Sequence, residues 1–277
     1  MRKLVIGCGY LGRRVAALWR AAGDQVFVTT RRVDEEDRFR GEGFEPVVCD
    51  VLDPASLTKL PQVHTALYAV GFDRSSGATM RSVYVDGLAN VLSVVDSGEF
   101  IYVSSSSVYG QTDGGWVDED SRTAPREESG RIVLEAEMVV RSLRERAIVL
   151  RFGGIYGPGR LLRRAAIERG EPIVGDADKW LNLIHVDDGA RVILAAEARG
   201  TAGRIYNVCD GAPVRRRDFY TELARRLGAP PPRFVMPEGE MPPHESANRR
   251  IRTVRMMTEL YPELRYPGYV DGLAASV

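Results

Sequence analysis

Three glycines at the spacing Gly-x-Gly-x-x-Gly directly follow the apolar residues 3–6 near the start of the chain. The first glycine of such a pattern permits a tight turn out of a strand, the second lets the backbone approach a diphosphate, and the third lets the next helix pack closely against the strand. Apolar residues recur at helical spacing over 13–22, so the turn opens a helix whose N-terminal N–H groups suit an anion. The pattern predicts dinucleotide binding at Gly7, Gly9, Tyr10, Leu11 and Gly12.

The residues after the second β-rich run, 25–30, indicate which dinucleotide binds. An NAD site is expected to place Asp or Glu about 20 residues after the glycines, where the carboxylate accepts a hydrogen bond from the ribose. This chain has Thr30, Arg31 and Arg32 there. Arg can form a planar, charge-assisted pair with a 2′-phosphate, whereas a carboxylate would repel it. We therefore expect NADP(H) to be favoured over NAD(H); the alternative is that Arg31 and Arg32 are solvated loop charges.

Predicted strands and helices alternate along the first part of the chain. Helical patterns, notably 80–96 and 131–146, separate β-rich runs at 3–6, 25–30, 44–49, 65–70, 100–103 and 147–152. Alternation on this scale implies right-handed crossovers and predicts the α/β class, with a Rossmann-type doubly wound parallel sheet. Ligands bind beyond the carboxyl ends of the strands in such sheets. We therefore expect further cofactor contacts at Asp50, Val51, Ala69, Val70 and Gly71.

The last third of the chain differs from the rest. Its predicted strands, 181–186 and 204–208, are short, and the proline-rich segment 229–243 cannot form a long helix or a central strand. We expect an NADP-binding Rossmann domain over 1–152 and a smaller, loop-rich substrate lobe over 153–277, interleaved with late elements of the sheet domain. A lid and a static surface loop are both compatible with the proline-rich segment.

Composition limits the partners and the compartment. The 277 residues include 38 basic and 38 acidic side chains, and a net charge of zero argues against a nucleic-acid or anionic-membrane partner. Three cysteines without a Cys-x-x-Cys pair predict free thiols of a reducing compartment, and three histidines without ligand spacing predict no metal site. No run approaches the ~18 apolar residues that a membrane span needs. We therefore expect a cytoplasmic protein whose partner is a small-molecule substrate.

Five stretches resemble the motifs of one family, in one consistent order between residues 2 and 227. They are 85–92 (Val-Asp-Gly-Leu-Ala-Asn-Val-Leu), 102–110 (Tyr-Val-Ser-Ser-Ser-Ser-Val-Tyr-Gly), 151–159 (Arg-Phe-Gly-Gly-Ile-Tyr-Gly-Pro-Gly), 184–188 (Ile-His-Val-Asp-Asp) and 206–208 (Tyr-Asn-Val). Together they are similar to the extended short-chain dehydrogenases/reductases, the NAD(P)-dependent sugar epimerases and dehydratases. The resemblance implies that Ser105 hydrogen-bonds the reacting oxygen of the substrate and that Asp50 meets the adenine edge. It also makes a homodimer one expectation, because members often pair through two helices beside the sheet.

The catalytic pair of that family is absent from this chain. The family uses a Tyr with a Lys four residues later on the same helical face, where the ammonium group favours the ionised phenol. With Ala136-Glu137 as the anchor, these positions are Ser129 and Val133, and neither side chain can do this chemistry. The helix Asn of the family is replaced by Tyr84. The chain therefore resembles an atypical group of the family, the YeeZ-like proteins of bacteria.

Other residues could supply a proton or hold a substrate. Tyr109 lies at the same predicted strand end as Ser105, although a packed structural tyrosine is the simpler interpretation. His185 has a suitable intrinsic pKa of ~6.5, with bracing of a neighbouring strand as the competing role. Arg151 and Arg160 could hold an anionic substrate, or they could be ion-paired or solvated.

Two functions stay open on this reasoning. The first is an NADP(H)-dependent oxidoreductase or epimerase-like enzyme acting on a small carbonyl or sugar-type substrate, with a non-standard proton relay that draws on Ser105 or Tyr109. The second is a non-catalytic NADP(H)-binding sensor or regulatory protein, which accounts directly for Ser129 and Val133. We favour the enzyme, because the cofactor turn and Ser105 are both retained.

Overall fold

A sheet of seven parallel strands forms the centre of the protein, for which the computed structural model describes residues 1–236, 243–260 and 264–277. The strands are β1 (Arg2–Ile6), β2 (Gln25–Thr30), β3 (Glu45–Val48), β4 (Val63–Tyr68), β5 (Ser97–Ser105), β6 (Ile148–Phe152) and β7 (Ile205–Val208). They lie in the order β3-β2-β1-β4-β5-β6-β7, and each neighbouring pair is parallel. The order reverses between β1 and β4, where doubly wound sheets open a crevice for ligands. The α/β class and the Rossmann-type sheet predicted from the sequence are confirmed.

Helices connect and cover the strands. They are α1 (Gly12–Ala21), α2 (Glu36–Gly41), α3 (Pro54–Leu57), α4 (Gly87–Val94), α5 (Glu128–Leu143), α6 (Arg164–Glu168), α7 (Val186–Arg199), α8 (Arg216–Leu227), α9 (Pro243–Ser246), α10 (Val254–Glu259) and α11 (Tyr269–Ala274). Short strand pairs outside the main sheet are Trp116–Val117 with Arg250–Ile251, Gly154–Tyr156 with Leu183–His185, Ile173–Val174 with Phe234–Val235, and Trp180–Leu181 with Val214–Arg215.

Alternate residues of the strands point into two apolar cores on opposite faces of the sheet. On β1, Val5 is buried in a cluster that contains Trp19 of α1 and side chains of α7. Its neighbour Leu4 is buried in a second cluster with Leu88 of α4 and side chains of α5. Strands that are covered on both faces read as continuous apolar runs, which is why the sequence of β1 shows no polar alternation. The two layers of helices fix the strand ends on which the site is built.

A third apolar cluster lies in the last third of the chain. It gathers buried side chains from several segments, including Phe219 and Leu223 of α8 and Leu273 of α11. Between these segments the chain returns to the sheet, because α7 packs beside α1 and β7 pairs with β6. Residues 153–277 therefore build both this lobe and the last part of the sheet.

The proline-rich segment 229–243 is described only in part. Its residues Phe234–Val235 pair in parallel with Ile173–Val174. Residues 237–242 are outside the described part of the chain, so the lid considered for this segment falls in part outside the described residues.

The helix predicted over 80–96 consists of two parts. A π-helical turn at Ser82–Asp86 leads directly into α4. Such turns contain an extra residue and occur frequently at functional sites. At the junction, a Cβ on Gly87 would lie 2.7 Å from Cγ2 of Val51, so only glycine lets the helix approach the end of β3 this closely.

Candidate functional site

A cleft in two connected halves runs along the carboxyl ends of the strands. One half encloses about 420 Å³, and we call it the arginine half after Arg31 and Arg38, which line it. The other encloses about 430 Å³, and we call it the serine half after Ser105 and Ser107. Both halves are lined by residues 69–71, so they form one groove where the strand order reverses. Ligands of doubly wound sheets bind at this position.

The glycine turn shapes the floor that the two halves share. Gly7 has a φ of 92°, and a Cβ there would lie 2.6 Å from the carbonyl carbon of Ala69. A Cβ on Gly12 would overlap with the carbonyl oxygen of Gly7, whereas a Cβ on Gly9 would meet no atom within 4 Å. The chain itself therefore requires glycine at 7 and 12, while glycine at 9 leaves open space for a ligand.

Backbone N–H groups after this turn are available to an anion. The N–H groups of Arg13 and Arg14 donate to the carbonyl oxygens of Gly9 and Leu11 at 2.9 and 3.0 Å, which forms the first turn of α1. Within the described residues, the N–H groups of Tyr10 and Leu11 have no acceptor. Unpaired N–H groups at the N-terminus of a ten-residue helix form an anion-binding arrangement.

Carboxylates accompany the guanidinium groups of the arginine half. Nη2 of Arg31 lies 3.3 Å from Oδ2 of Asp73, and Arg32 pairs with Asp34 at 2.5 Å. The side chains of Arg31 and Asp73 are 51% and 48% exposed, and ion pairs at this exposure contribute little because water screens them. Oγ1 of Thr30 accepts the N–H of Arg32 at 3.1 Å and so fixes the turn that carries both arginines. A phosphate dianion can therefore compete with these partners for the guanidinium groups.

The end of β3 supplies another wall of the arginine half. The carboxylate of Asp50 accepts the N–H of Leu52 at 2.9 Å, and Val51 packs against Gly87 at the start of α4. Cys8 lines the same half, and burial raises the pKa of its thiol to about 12. The thiol therefore stays protonated near neutral pH and is not an activated nucleophile.

The serine half is lined mainly by apolar and hydroxyl side chains. Oγ of Ser105 accepts the N–H of Ser107 at 3.2 Å, which leaves its own proton free to be donated. Val133 lines this half at the position where the resembled enzymes have their Lys, and Ser129 is not among the lining residues. Among the described residues that line it, Arg160 is the only charged side chain, and there is no Asp, Glu, Lys, His or Cys.

Tyrosines of the serine half differ in what their hydroxyl groups do. Tyr68 and Tyr102 are almost fully buried, and burial raises the pKa of both phenols. The hydroxyl of Tyr10 donates to a backbone carbonyl at 3.0 Å. The hydroxyl of Tyr84 instead accepts the N–H of Phe72 at 3.1 Å and, within the described residues, donates to no acceptor. The proton of Tyr84 is therefore available to a ligand.

A buried network adjoins the serine half. Glu137 of α5 and Arg151 of β6 form a bidentate pair with N–O distances of 2.7 and 2.9 Å, and Ser104 donates to the same carboxylate at 2.5 Å. The hydroxyl of Tyr109 accepts from Arg151 at 3.0 Å and donates to Asn207 at 2.8 Å. Burial raises the pKa of Tyr109, and neither Tyr109 nor Arg151 lines the cleft. Both side chains are therefore held in a buried network beside the cleft.

His185 is also held in a structural position. Its Nδ1 accepts the N–H of Asp187 at 3.3 Å, which caps α7, and its Nε2 lies 3.3 Å from Oγ of Ser276. Burial lowers the pKa of the imidazole, so the ring is neutral near pH 7. The side chain does not line either half of the cleft.

Sequence reasoning missed two features of this site. One is the available phenol of Tyr84, although the replacement of the family's helix Asn was a signal that could have identified it. The other is the pairing of Glu137 with Arg151 and the link from Tyr109 to Asn207. No local sequence pattern predicts these contacts, because they join α5, β6 and β7.

Comparisons with known proteins identify the family. A sequence model of the NAD-dependent epimerase/dehydratase family matches residues 4–209. The chain belongs to this family. It is 32% identical over 252 residues to Protein YeeZ of Escherichia coli (strain K12), covering 84% of this chain and 87% of YeeZ.

Solved structures of similar proteins share the fold over nearly the whole chain. A functionally unknown conserved protein from Silicibacter pomeroyi is 30% identical, with a TM-score of 0.80 and coverage of 99% of this chain and 97% of that one. UDP-glucuronic acid 4-epimerase from Bacillus cereus, solved with NAD, also has a TM-score of 0.80 but is only 19% identical, covering 100% and 97%. The second likeness shows the fold alone.

Three further findings apply to the described residues. No helix there combines the length and the apolar character needed to cross a bilayer. The same residues contain no group of three or more His, Cys, Asp or Glu side chains placed to hold a metal ion. Cys8, Cys49 and Cys209 are free thiols.

Proposed function

We propose that this protein is an NADP(H)-dependent oxidoreductase or epimerase-like enzyme that acts on a small carbonyl or sugar-type substrate. The observation that carries the proposal is the single groove in which the arginine half and the serine half meet at the glycine turn. A dinucleotide has the matching form, because its diphosphate joins two separate ends. The arginine half would take the adenosine end, and the serine half would take the nicotinamide together with the substrate.

The residues present fit such a cofactor. The free N–H groups of Tyr10 and Leu11 would hold the diphosphate at the N-terminus of α1. Asp50 and Val51 would flank the adenine, and residues 69–71 would line the middle of the groove. When bound, the nicotinamide supplies or accepts a hydride.

The arginine half supports NADP(H) over NAD(H). Thr30 occupies the position at which an NAD site needs a carboxylate for the ribose. Among the described residues, Arg31 pairs only with the exposed Asp73, so a 2′-phosphate can replace that carboxylate with a stronger, doubly charged acceptor. Arg32 would add a second guanidinium group at the same rim.

Ser105 and Tyr84 would act on the reacting oxygen of the substrate. The free hydroxyl proton of Ser105 can be donated to a carbonyl oxygen and so hold it in place. The phenol of Tyr84 can give its proton to that oxygen as negative charge develops there, and it can regain a proton from solvent. The N–H of Phe72, which points at the phenol oxygen, would stabilise the phenolate left behind. The proton would then come from the turn before α4 and not from α5.

A non-catalytic NADP(H)-binding sensor is the second candidate function. The observation that favours it is the lining of the serine half, in which Val133 replaces the expected Lys and no other Lys, His or carboxylate occurs among the described residues. A phenol with a pKa near ~10 exchanges protons slowly at neutral pH without a cationic neighbour. Such a protein would keep the arginine half and have no need for turnover.

Two assays distinguish the two functions: oxidation of NADPH by aldehydes and ketones, and conversion of nucleotide sugars to their epimers by the NADP⁺-loaded protein, which consumes no cofactor. The enzyme proposal expects turnover with at least one class, and a fall of about tenfold or more in kcat for Ser105→Ala and for Tyr84→Phe at unchanged NADPH affinity. Tight NADPH binding without turnover on any class would favour the sensor. Wild-type activity in Ser105→Ala would remove Ser105 from the mechanism.

We further propose that the protein is a cytoplasmic homodimer. Three free thiols fit a reducing compartment. Met138 and Leu143 of α5 are 59% and 54% exposed, and Val94 at the end of α4 is 40% exposed, so apolar side chains are exposed on both helices of one sheet face. Sedimentation velocity should show a wild-type dimer and a weaker dimer for Met138→Asp. A wild-type monomer would contradict the assembly.

A further inference from the structure

Arg160 is the only charged side chain among the described residues that line the serine half, and the chemistry proposed above does not use it. It lies in the loop after the short strand Gly154–Tyr156. Within the described residues, its guanidinium group has no carboxylate partner and lies over the ring of Tyr10. Arg14, which stacks on the same ring at 4.2 Å, is paired with Asp187 at 3.0 Å. Arg160 is thus the unpaired member of two arginines around one aromatic ring.

The loop holds Arg160 in a defined place. Gly157 and Arg160 exchange two backbone hydrogen bonds, of 3.3 and 2.9 Å, in a tight turn. Gly159 within that turn has a φ of 74°, which favours glycine. The hydroxyl of Tyr10 donates to the carbonyl oxygen of Pro158 at 3.0 Å, and the guanidinium carbon of Arg160 lies 5.4 Å from the centre of the same ring. The turn and the stacking together reduce the freedom that Arg160 would lose on binding a ligand.

The surroundings of Arg160 favour an organic anion with an apolar body. The apolar side chains that line the same half include Leu11, Met80, Val103, Val133, Phe152 and Ile155. A single guanidinium group matches one negative charge, and its planar fork matches the two oxygens of a carboxylate. A nucleotide sugar would instead bring two phosphate charges, for which the described lining of this half offers a single cation.

We propose that the substrate of the serine half is an apolar or aromatic carbonyl compound that carries a carboxylate, and that Arg160 binds this carboxylate. The proposal rests on the proposed function, because that function places the adenosine end of the cofactor in the arginine half and the substrate, beside the nicotinamide, in the serine half. In the reduction, hydride adds to the carbonyl carbon, NADPH is oxidised to NADP⁺, and a proton reaches the carbonyl oxygen, while the carboxylate is unchanged and only anchors the molecule.

Calorimetric titration with two isosteric probes tests this assignment. Phenylacetate carries the charge, and phenylacetamide is its neutral match. Both are titrated into the full-length protein, with and without saturating NADP⁺, for the wild type, Arg160→Gln and Arg164→Gln. Arg164 is a matched control, because it is an exposed arginine of the next segment that pairs with Glu168 and does not line the cleft.

The expected result is that the wild type binds phenylacetate about tenfold tighter than phenylacetamide. Arg160→Gln should remove this preference, keep phenylacetamide binding, and leave NADP⁺ affinity within about twofold, while Arg164→Gln should match the wild type. Equal affinity of the wild type for the two probes, or binding of neither, would overturn the proposal. A loss of NADP⁺ affinity in Arg160→Gln with phenylacetate binding unchanged would assign Arg160 to the cofactor diphosphate and would also overturn it.

Failure of the proposed function has a different signature. A wild type that does not bind NADP⁺ at all would refute the cofactor assignment. The titrations without cofactor would still test whether Arg160 binds the carboxylate, since its turn and its stacking on Tyr10 are properties of the chain alone.

Discussion

The arginine half and the serine half of the cleft are built by different means. The arginine half depends on backbone geometry, with a left-handed Gly7, a Cβ-free Gly9 and free N–H groups at the start of α1, and its charges are exposed. The serine half depends on individual side chains, and a buried ion pair between Glu137 and Arg151 stands next to it. Most substitutions leave backbone geometry unchanged, whereas substitution of the Tyr and the Lys is enough to remove the usual proton relay of the family. This chain retains the backbone turn of the arginine half but lacks the usual relay side chains in the serine half.

Removal of the buried pair should have the largest effect. Glu137→Ala leaves the guanidinium group of Arg151 buried without its partner, which costs about 3–5 kcal/mol of unfolding free energy. Glu135→Ala on the same helix is the control, since Glu135 makes an exposed pair with Arg81 and its loss should change little. Urea denaturation of the two variants measures the difference. Equal unfolding free energies for Glu137→Ala and Glu135→Ala would mean that the buried pair does not stabilise the fold beside the serine half.

Substitutions in the glycine turn should separate folding from binding. Gly7→Ala forces a Cβ into a residue with positive φ and against the Ala69 carbonyl, so we expect a loss of about 1–3 kcal/mol in unfolding free energy together with loss of NADPH binding. Gly9→Ala adds a Cβ in open space, so the unfolding free energy should stay within about 0.5 kcal/mol while NADPH affinity falls. Thermal unfolding and NADPH fluorescence titration report the two quantities. A Gly9→Ala variant that binds NADPH like the wild type would place the cofactor away from this turn.

A buried carboxyl just after β7 should make stability depend on pH. Asp210 is 7% exposed, its Oδ2 has no hydrogen-bond partner within the described residues, and burial raises its pKa to about 7 from 3.8. Because its pKa is raised in the folded state, Asp210 favours folding when it is protonated. This contribution to the unfolding free energy is fully present below pH ~4 and is lost as the pH rises through ~7.

Asp210→Asn should therefore gain stability relative to the wild type as the pH rises from about 5 to 8, on the order of 1–3 kcal/mol. Urea midpoints at several pH values measure this gain, with the fully exposed Asp37→Asn as the control. A constant difference between Asp210→Asn and the wild type over this range would show that Asp210 does not titrate there.

The smallest effect is expected at the exposed rim of the arginine half. Arg31→Gln should weaken NADPH binding about tenfold and leave NADH binding unchanged, because only NADPH carries the 2′-phosphate. Arg40→Gln is the matched control, since Arg40 is a paired surface arginine of α2 that does not line the cleft. Equal weakening of both cofactors by Arg31→Gln would mean that Arg31 meets a group common to both.

The sequence was sufficient for the parts of the site that depend on local chain geometry. The spacing of Gly7, Gly9 and Gly12 predicts the turn, and the structure shows a positive φ at Gly7 and close packing of Gly12 against the Gly7 carbonyl, while Gly9 faces open space. The alternation of strands and helices likewise predicts the sheet, because the spacing of apolar residues within each segment indicates whether that segment is a strand or a helix.

Contacts between distant segments could not be predicted in this way. Tyr109 meets Asn207, which is 98 residues away, only because β5 and β7 flank β6 in the sheet. The sequence could not show whether Arg151 faces a substrate or a carboxylate, because the answer depends on which face of α5 packs against β6. In the structure that face carries Glu137, which pairs with Arg151. The exposed pair between Arg31 and Asp73 joins two loops in the same manner.

The cofactor preference of the wild-type protein can be measured by a single titration experiment. NADPH and NADH are titrated at one fixed ionic strength, and binding is followed by nicotinamide fluorescence. We expect NADPH to bind at least about tenfold tighter than NADH, because the arginine half offers Arg31 and Arg32 to the 2′-phosphate and Thr30 in place of a ribose-binding carboxylate. Equal affinities, or tighter binding of NADH, would contradict it.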